Sequence, residues 1–118
     1  MLAGTNGEAV TLTKEEKVKL IALTRRVATE VGEPDIIITL GCNGQCTRDV
    51  IAETKMAQEA GADYVLVLVP SYFHFAMSKE AIVAFFEEVW KKCFRTYVSM
   101  QNDANVMDRR LMQARFPS

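Results

Sequence analysis

"IIITLGCNGQCTRDVIAETKMAQEAGADYVLVLVP", residues 36–70, decides the fold. It opens on the β-branched run "IIITL" (36–40), which has no polar alternation and reads as a strand buried on both faces. Turn residues follow in "GCNGQC" (41–46). Thr47 is placed to cap a helix running to about Ala60, with Val50, Ile51, Met56 and Ala57 apolar and Gly61 closing it. A second continuous apolar strand, "YVLVLVP" (64–70), ends at a proline. Strand, helix and strand in this order make a right-handed βαβ unit with parallel strands.

The same alternation extends outward in both directions. Upstream, Thr13 and Glu16 form a capping box, so a helix begins at Lys14; Leu20, Leu23, Val27 and Val31 recur on its expected packed face, and Gly32 stops it. Downstream, Ser78 caps a helix with Ala81, Ile82, Phe85, Phe86 and Val89 along one side. Two α/β architectures repeat in this way, the (β/α)8 barrel and the doubly wound open sheet. A whole barrel takes about 250 residues, so 118 residues on their own favour the open sheet. Only Met1 to Ala3 precede the first turn, and the first strand reads as cut short.

Composition narrows the function classes. An apolar content of 49% with 25% charged residues is that of a globular domain. Fourteen basic and fifteen acidic side chains nearly cancel, which argues against nucleic acid and membrane surfaces as partners. No apolar run approaches the roughly 20 residues of a membrane span, and no signal-peptide pattern opens the chain, so a cytoplasmic protein is expected. Cys42, Cys46 and Cys93, an odd number, fit free thiols in a reducing compartment. The Cys42/Cys46 pair lacks the further ligands a zinc site needs, and no metal or cofactor is expected. Residues 1–89 carry eight basic and thirteen acidic side chains, net −5, whereas residues 90–118 carry six and two, net +4. The chain is therefore expected to divide into a βα segment, 1–89, and a divergent tail, 90–118.

In parallel βα folds the chemistry sits on loops at the carboxyl ends of the strands. Three such loops occur, 4–12, 41–46 and 70–77. In the first, "GTNGE" (4–8), Gly4 and Gly7 permit a tight turn, and Thr5 and Asn6 add side-chain donors beside backbone N–H groups, a cradle suited to a small carboxylate. The same residues also make an ordinary βα turn. The pattern lacks the Gly-Lys-Ser/Thr ending of a phosphate-binding P-loop. In the third loop, "PSYFHFAMS" (70–78), Tyr72 is a candidate proton relay, Phe73 and Phe75 suit an interface or lid, and His74 has no triad or metal partner nearby in sequence.

Residues 3–89 resemble the dihydrodipicolinate synthase / N-acetylneuraminate lyase family. "GTNGEAVTLTKEE" matches the family's G-[TS]-[TN]-G-E signature and the capped helix after it. "AGADYVLVLVPSYF" matches its strand entry and proline-tyrosine end, and 36–63 follow the family in order and spacing. Asn6, where a second threonine is usual in dihydrodipicolinate synthases, is closer to the 4-hydroxy-2-oxoglutarate aldolase branch.

The resemblance implies about three βα units of a (β/α)8 TIM barrel that binds pyruvate or another 2-oxo acid as a Schiff base without a cofactor, in a homo-oligomer. It implies that Gly4, Thr5 and Asn6 bind the substrate carboxylate, that Thr5 joins a proton relay, and that Tyr72 is the relay tyrosine that reaches across a dimer interface. Ser71 stands where the family often has tyrosine. The family's second tyrosine and Schiff-base lysine follow a Pro-x-Pro stretch that residues 90–118 do not match, so neither role passes to Tyr97, Lys91 or Lys92. This chain alone is then expected to be an incomplete, inactive segment. Two rival readings are a non-catalytic homologue that binds a carboxylate or a barrel partner, and a self-contained flavodoxin-like domain whose last strand is "RTYVSM" (95–100).

Overall fold

In the computed structural model of the chain, the described residues are 1–4, 7–93 and 96–98, with His74 and 96–98 described by their backbone alone. Local chemistry sets the helix ends. Helix α1 (Lys14–Glu30) starts at Thr13, whose hydroxyl accepts from the Glu16 N–H at 3.2 Å while the Glu16 carboxylate accepts from the Thr13 N–H at 2.8 Å. Helix α3 (Lys79–Lys92) starts where the Ser78 hydroxyl accepts from the Ala81 N–H. Gly32 (φ 85°) ends α1 and Gly61 (φ 100°) ends α2 (Thr47–Glu59), both in the left-handed region that favours glycine. Each end closes with paired bonds, Gly32 N–H to the Thr29 carbonyl with Glu33 N–H to that of Ala28, and Gly61 N–H to Gln58 with Ala62 N–H to Ala57. The cap of α2 differs from expectation. Cys46 holds that position without a side-chain bond, and Thr47 is the first helical residue.

The sheet is parallel and runs in chain order. Strand β1 (Thr39–Cys42) pairs with β2 (Tyr64–Val67) from Thr39↔Tyr64 to Cys42↔Val67, and β2 pairs with β3 (Thr96–Val98) from Val65↔Thr96 to Val67↔Val98. On the free edge of β1, Leu2 forms a parallel bridge with Leu40; its N–H donates to Thr39 and its carbonyl accepts from Gly41. The four positions advance in one direction, as in a barrel. A flavodoxin-like sheet would instead place the first strand between the second and third. The described part of "RTYVSM" extends the same series, so it gives no support to the open-sheet reading.

Both expected strands differ from observation for identifiable reasons. The run 36–40 becomes a strand only from Thr39. The Arg25 guanidinium occupies the carbonyls of Pro34 and Ile36, and the Asp63 carboxylate accepts the Ile38 N–H, so side chains hold 34–37, and backbone pairing begins only at the Ile38 carbonyl, which accepts the Asp63 and Tyr64 N–H groups. Arg25 also bonds the Gly61 carbonyl and Asp63, tying α1 to the amino ends of β1 and β2. The run 64–70 is strand only to Val67, where the register with β1 ends.

The helices cover one face of the sheet. Leu40, Cys42, Val65 and Val67 are buried beneath Val50 and Ala57 of α2 and Phe85, Phe86 and Val89 of α3. The expected face of α1 is wrong by part of a turn. Lys17, Ile21 and Ala28 are buried, while Leu23, Val27 and Val31 are 47%, 44% and 68% exposed. On α2 the buried set is Val50, Glu53, Thr54 and Ala57, with Ile51 and Met56 half-buried.

The cause is a pair that sequence periodicity does not register. Lys17 Nζ donates to the Glu53 carboxylate, with both side chains nearly fully buried between α1 and α2. A buried charge is tolerated only when paired, so this contact fixes which stripe of α1 turns inward. Replacing Lys17 alone by Met is expected to lower the unfolding free energy by about 3–5 kcal/mol, and the double change Lys17→Met/Glu53→Leu to recover most of that loss. Urea unfolding of the three proteins measures it, and single and double variants of equal stability would show that the charges are not coupled.

Candidate active site at the carboxyl ends of the strands

The parallel register brings the chain after Leu2, after β1 and after β2 to one end of the sheet. An open cleft of about 290 Å³ lies there, lined by Gly4, Gly7, Ala9, Gly41, Asn43, Leu66 and Leu68 among others. Gly41 determines how the first loop meets it. A Cβ on Gly41 would stand 2.0 Å from the Ala3 carbonyl oxygen, so only glycine lets Ala3 lie flush against β1. Among the described residues of this loop the left-handed positions are Ala3 (φ 50°) and Glu8 (φ 52°), neither of them a glycine. Such strain at a non-glycine residue costs about 1–2 kcal/mol and persists where the surroundings enforce it, often at functional sites.

Gly4 is thus placed at the cleft, and its carbonyl accepts the Gly7 and Ala9 N–H groups at 2.9 and 3.4 Å. Those two amides are occupied within the loop instead of facing a ligand. Thr5 and Asn6, the expected carboxylate donors, lie outside the described residues. Tyr72 does not line the cleft. It stands at the rim, 73% exposed, in an aromatic cluster with Phe73 (59%) and Phe75 (79%). The Tyr72 and Phe73 rings meet edge-on at 4.8 Å, and the Phe73 and Phe75 rings at 6.3 Å.

Gln45, which sequence reasoning passed over as a turn residue, connects the loops. Its side-chain Oε1 accepts both the Ser71 and Tyr72 N–H groups, each at 2.9 Å. The signal was available only indirectly, because parallel βα topology places the residues after β1 beside those after β2.

No lysine among the described residues lines the cleft. Lys17 is engaged by Glu53 between two helices, and Lys91 and Lys92 are exposed on α3, paired with Glu87 and Glu88 one turn earlier. The cysteines are free thiols, Cys42 and Cys93 buried and Cys46 exposed. Burial, with the nearby Glu53 carboxylate, pushes the Cys42 thiol up to about 12; Lys17 and the Thr54 hydroxyl oppose this more weakly. Burial also raises the Cys93 thiol, again opposed by Thr54, whose hydroxyl is buried with no hydrogen-bond partner of good geometry. Among the described residues no group of three or more His, Cys, Asp and Glu side chains could hold a metal ion, and no helix is long and apolar enough to cross a membrane.

The comparisons agree with this geometry. The model of the dihydrodipicolinate synthetase family matches residues 1–95, and the chain belongs to that family. It is 44% identical over 89 residues to a protein of Coccidioides immitis named as a mitochondrial 4-hydroxy-2-oxoglutarate aldolase, covering 75% of this chain and 27% of that one. It is 37% identical over 87 residues to the L-threo-3-deoxy-hexylosonate aldolase of Aspergillus niger, covering 73% and 26%. A solved structure from Coccidioides immitis, described as a dihydrodipicolinate synthase family protein, superposes with a TM-score of 0.73 at 36% identity, over 93% of this chain and 33% of that one. The chloride-inhibited dihydrodipicolinate synthase of Acinetobacter baumannii, complexed with pyruvate, superposes with a TM-score of 0.69 at 30% identity, over 83% and 31%. The chain thus spans about a quarter of the curated relatives and a third of the solved structures, and its fold is about three βα units of a TIM barrel.

The thiols give a direct check on the burial around Cys42. Iodoacetamide at pH 8 is expected to label Cys46 first, Cys93 more slowly and Cys42 only on unfolding. A raised folded-state value means that stability is full below the ordinary thiol value of 9.0 and is lost as pH rises from there towards about 12, because the unfolded thiol ionises first. Early labelling of Cys42, found by peptide mass mapping, would show that the helix layer does not seal it.

Proposed function

We propose that this chain carries the carboxylate cradle and rim tyrosine of a class I, Schiff-base aldolase or lyase acting on pyruvate or a related 2-oxo acid. The supporting observation is the family match over 1–95 together with the convergence of the Gly4, Asn43/Gln45 and Tyr72 loops at one strand end. In this reading Gly4, Thr5 and Asn6 bind the carboxylate through backbone and side-chain donors, and charge-assisted bonds of that kind are the strong ones. Thr5 and Tyr72 pass the proton. The names of the relatives favour the 4-hydroxy-2-oxoglutarate or 3-deoxy-sugar-acid branch, in line with Asn6.

The electrophile in such chemistry is the substrate's 2-oxo carbon, and the nucleophile is a desolvated lysine. Lys17, Lys91 and Lys92 are each engaged by a carboxylate away from the cleft. The Schiff-base lysine is assigned to a strand outside residues 1–95, as the resemblance implies. The exposed Tyr72, Phe73 and Phe75 cluster supports a homo-oligomer in which a second copy covers the rim. The three free thiols support a reducing compartment, with the cytoplasm as the default.

Pyruvate tests this reading. It is expected to raise the melting temperature of the full chain saturably, and Thr5→Val or Asn6→Leu is expected to weaken the effect about tenfold or more, the loss of a bond to a charged group. Borohydride added with pyruvate is expected to leave Lys17, Lys91 and Lys92 unmodified by mass spectrometry. No stabilisation by pyruvate would refute the cradle, and an adduct on any of those lysines would refute the assignment of the nucleophile.

A further inference from the structure

The loop carrying Tyr72 leaves β2 at its carboxyl end and, as far as Ala76, has little regular structure: a single helical turn closed by the Ala76 N–H to the Phe73 carbonyl. Its aromatic side chains lie in solvent in this chain. Such a segment has many accessible conformations, and a tyrosine that moves protons needs a defined one. The structure supplies a constraint at the first two residues. The Gln45 carbonyl oxygen, on the loop after β1, lies 2.9 Å from both the Ser71 and Tyr72 nitrogens and accepts both N–H groups at once. Its own amide nitrogen turns back to the Asn43 carbonyl at 3.4 Å, which orients the side chain. One acceptor thus holds two consecutive peptide planes, and with them the position of the Tyr72 Cα from which the side chain leaves the backbone.

We propose that Gln45 is the positioning residue of the Tyr72 loop, setting where the Tyr72 phenol stands on the rim of the cleft. The proposal rests on the reading of Tyr72 as a proton relay. Gln45 touches the backbone of Ser71 and Tyr72, so its role is positional and not catalytic. The chemistry demands an acceptor at this site: glutamate keeps it, and methionine, of similar length, replaces it with a thioether. Gln45 is exposed and outside the helices and strands, so neither change disturbs the core.

The test uses the full chain and its Gln45→Met and Gln45→Glu variants, with two readouts. The first is amide hydrogen exchange at Ser71 and Tyr72. Gln45→Met is expected to speed it about five- to tenfold at these two amides while α1 amides are unchanged, and Gln45→Glu to retain protection. Unchanged exchange in Gln45→Met overturns the proposal whatever happens with substrate. The second readout is the ring carbon signal of Tyr72 in protein labelled at tyrosine, assigned with Tyr72→Phe and followed as pyruvate is added. The unmodified chain and Gln45→Glu are expected to show a shift that Gln45→Met loses while its pyruvate affinity stays within about threefold, because the cradle itself is intact. A Gln45→Met protein with fast exchange but a full Tyr72 response reduces the contact to a structural tie and overturns the proposal. If the unmodified chain gives no Tyr72 response to pyruvate, the relay reading falls and the positioning role falls with it. The exchange difference then shows separately whether the hydrogen bonds exist.

Discussion

The front of this molecule depends on a single missing methyl group. Gly41 lets the Ala3 carbonyl approach to where a side-chain carbon would otherwise be, and on either side of that contact Leu2 exchanges bonds with Thr39 and Gly41. This brings the chain start alongside β1 in parallel, holds Ala3 in a left-handed conformation, and opens the Gly4 loop at the same end as the loops after β1 and β2. A side chain at 41 would push away the segment that leads into the Gly4 loop. The site therefore depends on strand packing before it depends on any reactive group.

The two ends of the sheet are secured by different means. At the amino ends, Arg25 gathers three carbonyls and the Asp63 carboxylate, a multidentate arrangement whose role is to fix the helix on the strands. At the carboxyl ends, Gln45 holds the first residues of the Tyr72 loop by two neutral hydrogen bonds, individually weaker than the charged contacts of Arg25. Between them the helix layer is set by the buried Lys17–Glu53 pair, and Cys42 is sealed beneath it. The contacts that fix the helices and the loops that line the cleft thus lie at opposite ends of the strands, the arrangement general to βα barrels.

What the sequence disclosed follows the range of the interactions concerned. Helix ends were legible because the Thr13/Glu16 box, the Ser78 cap and the glycines at 32 and 61 act within a few residues. The buried face of α1 was not, because Lys17 is inward only on account of Glu53, 36 residues away; Leu23 and Val27, more apolar, stay outside. The strand at 36–40 was placed early for the same kind of reason, since Arg25 and Asp63 bind its first part. The convergence of the loops on a cleft at the strand ends was legible from βα alternation. Gln45 was not, because an uncharged residue in a turn gives no local sign of partners 26 and 27 positions later.

The central claim is that the three loops at the carboxyl ends converge on one site, in which the Gly4 loop is proposed to hold the carboxylate of a 2-oxo acid. Backbone amide chemical shifts of the uniformly labelled chain, followed as pyruvate is added, test it most directly. The account predicts saturable shifts at residues 4–7, 41–45 and 71–72, with α1 and the amino ends of the strands unmoved. Shifts confined to the basic groove of Arg48, Lys55 and Lys92 on the helix side, or no saturable shifts at all, would contradict it.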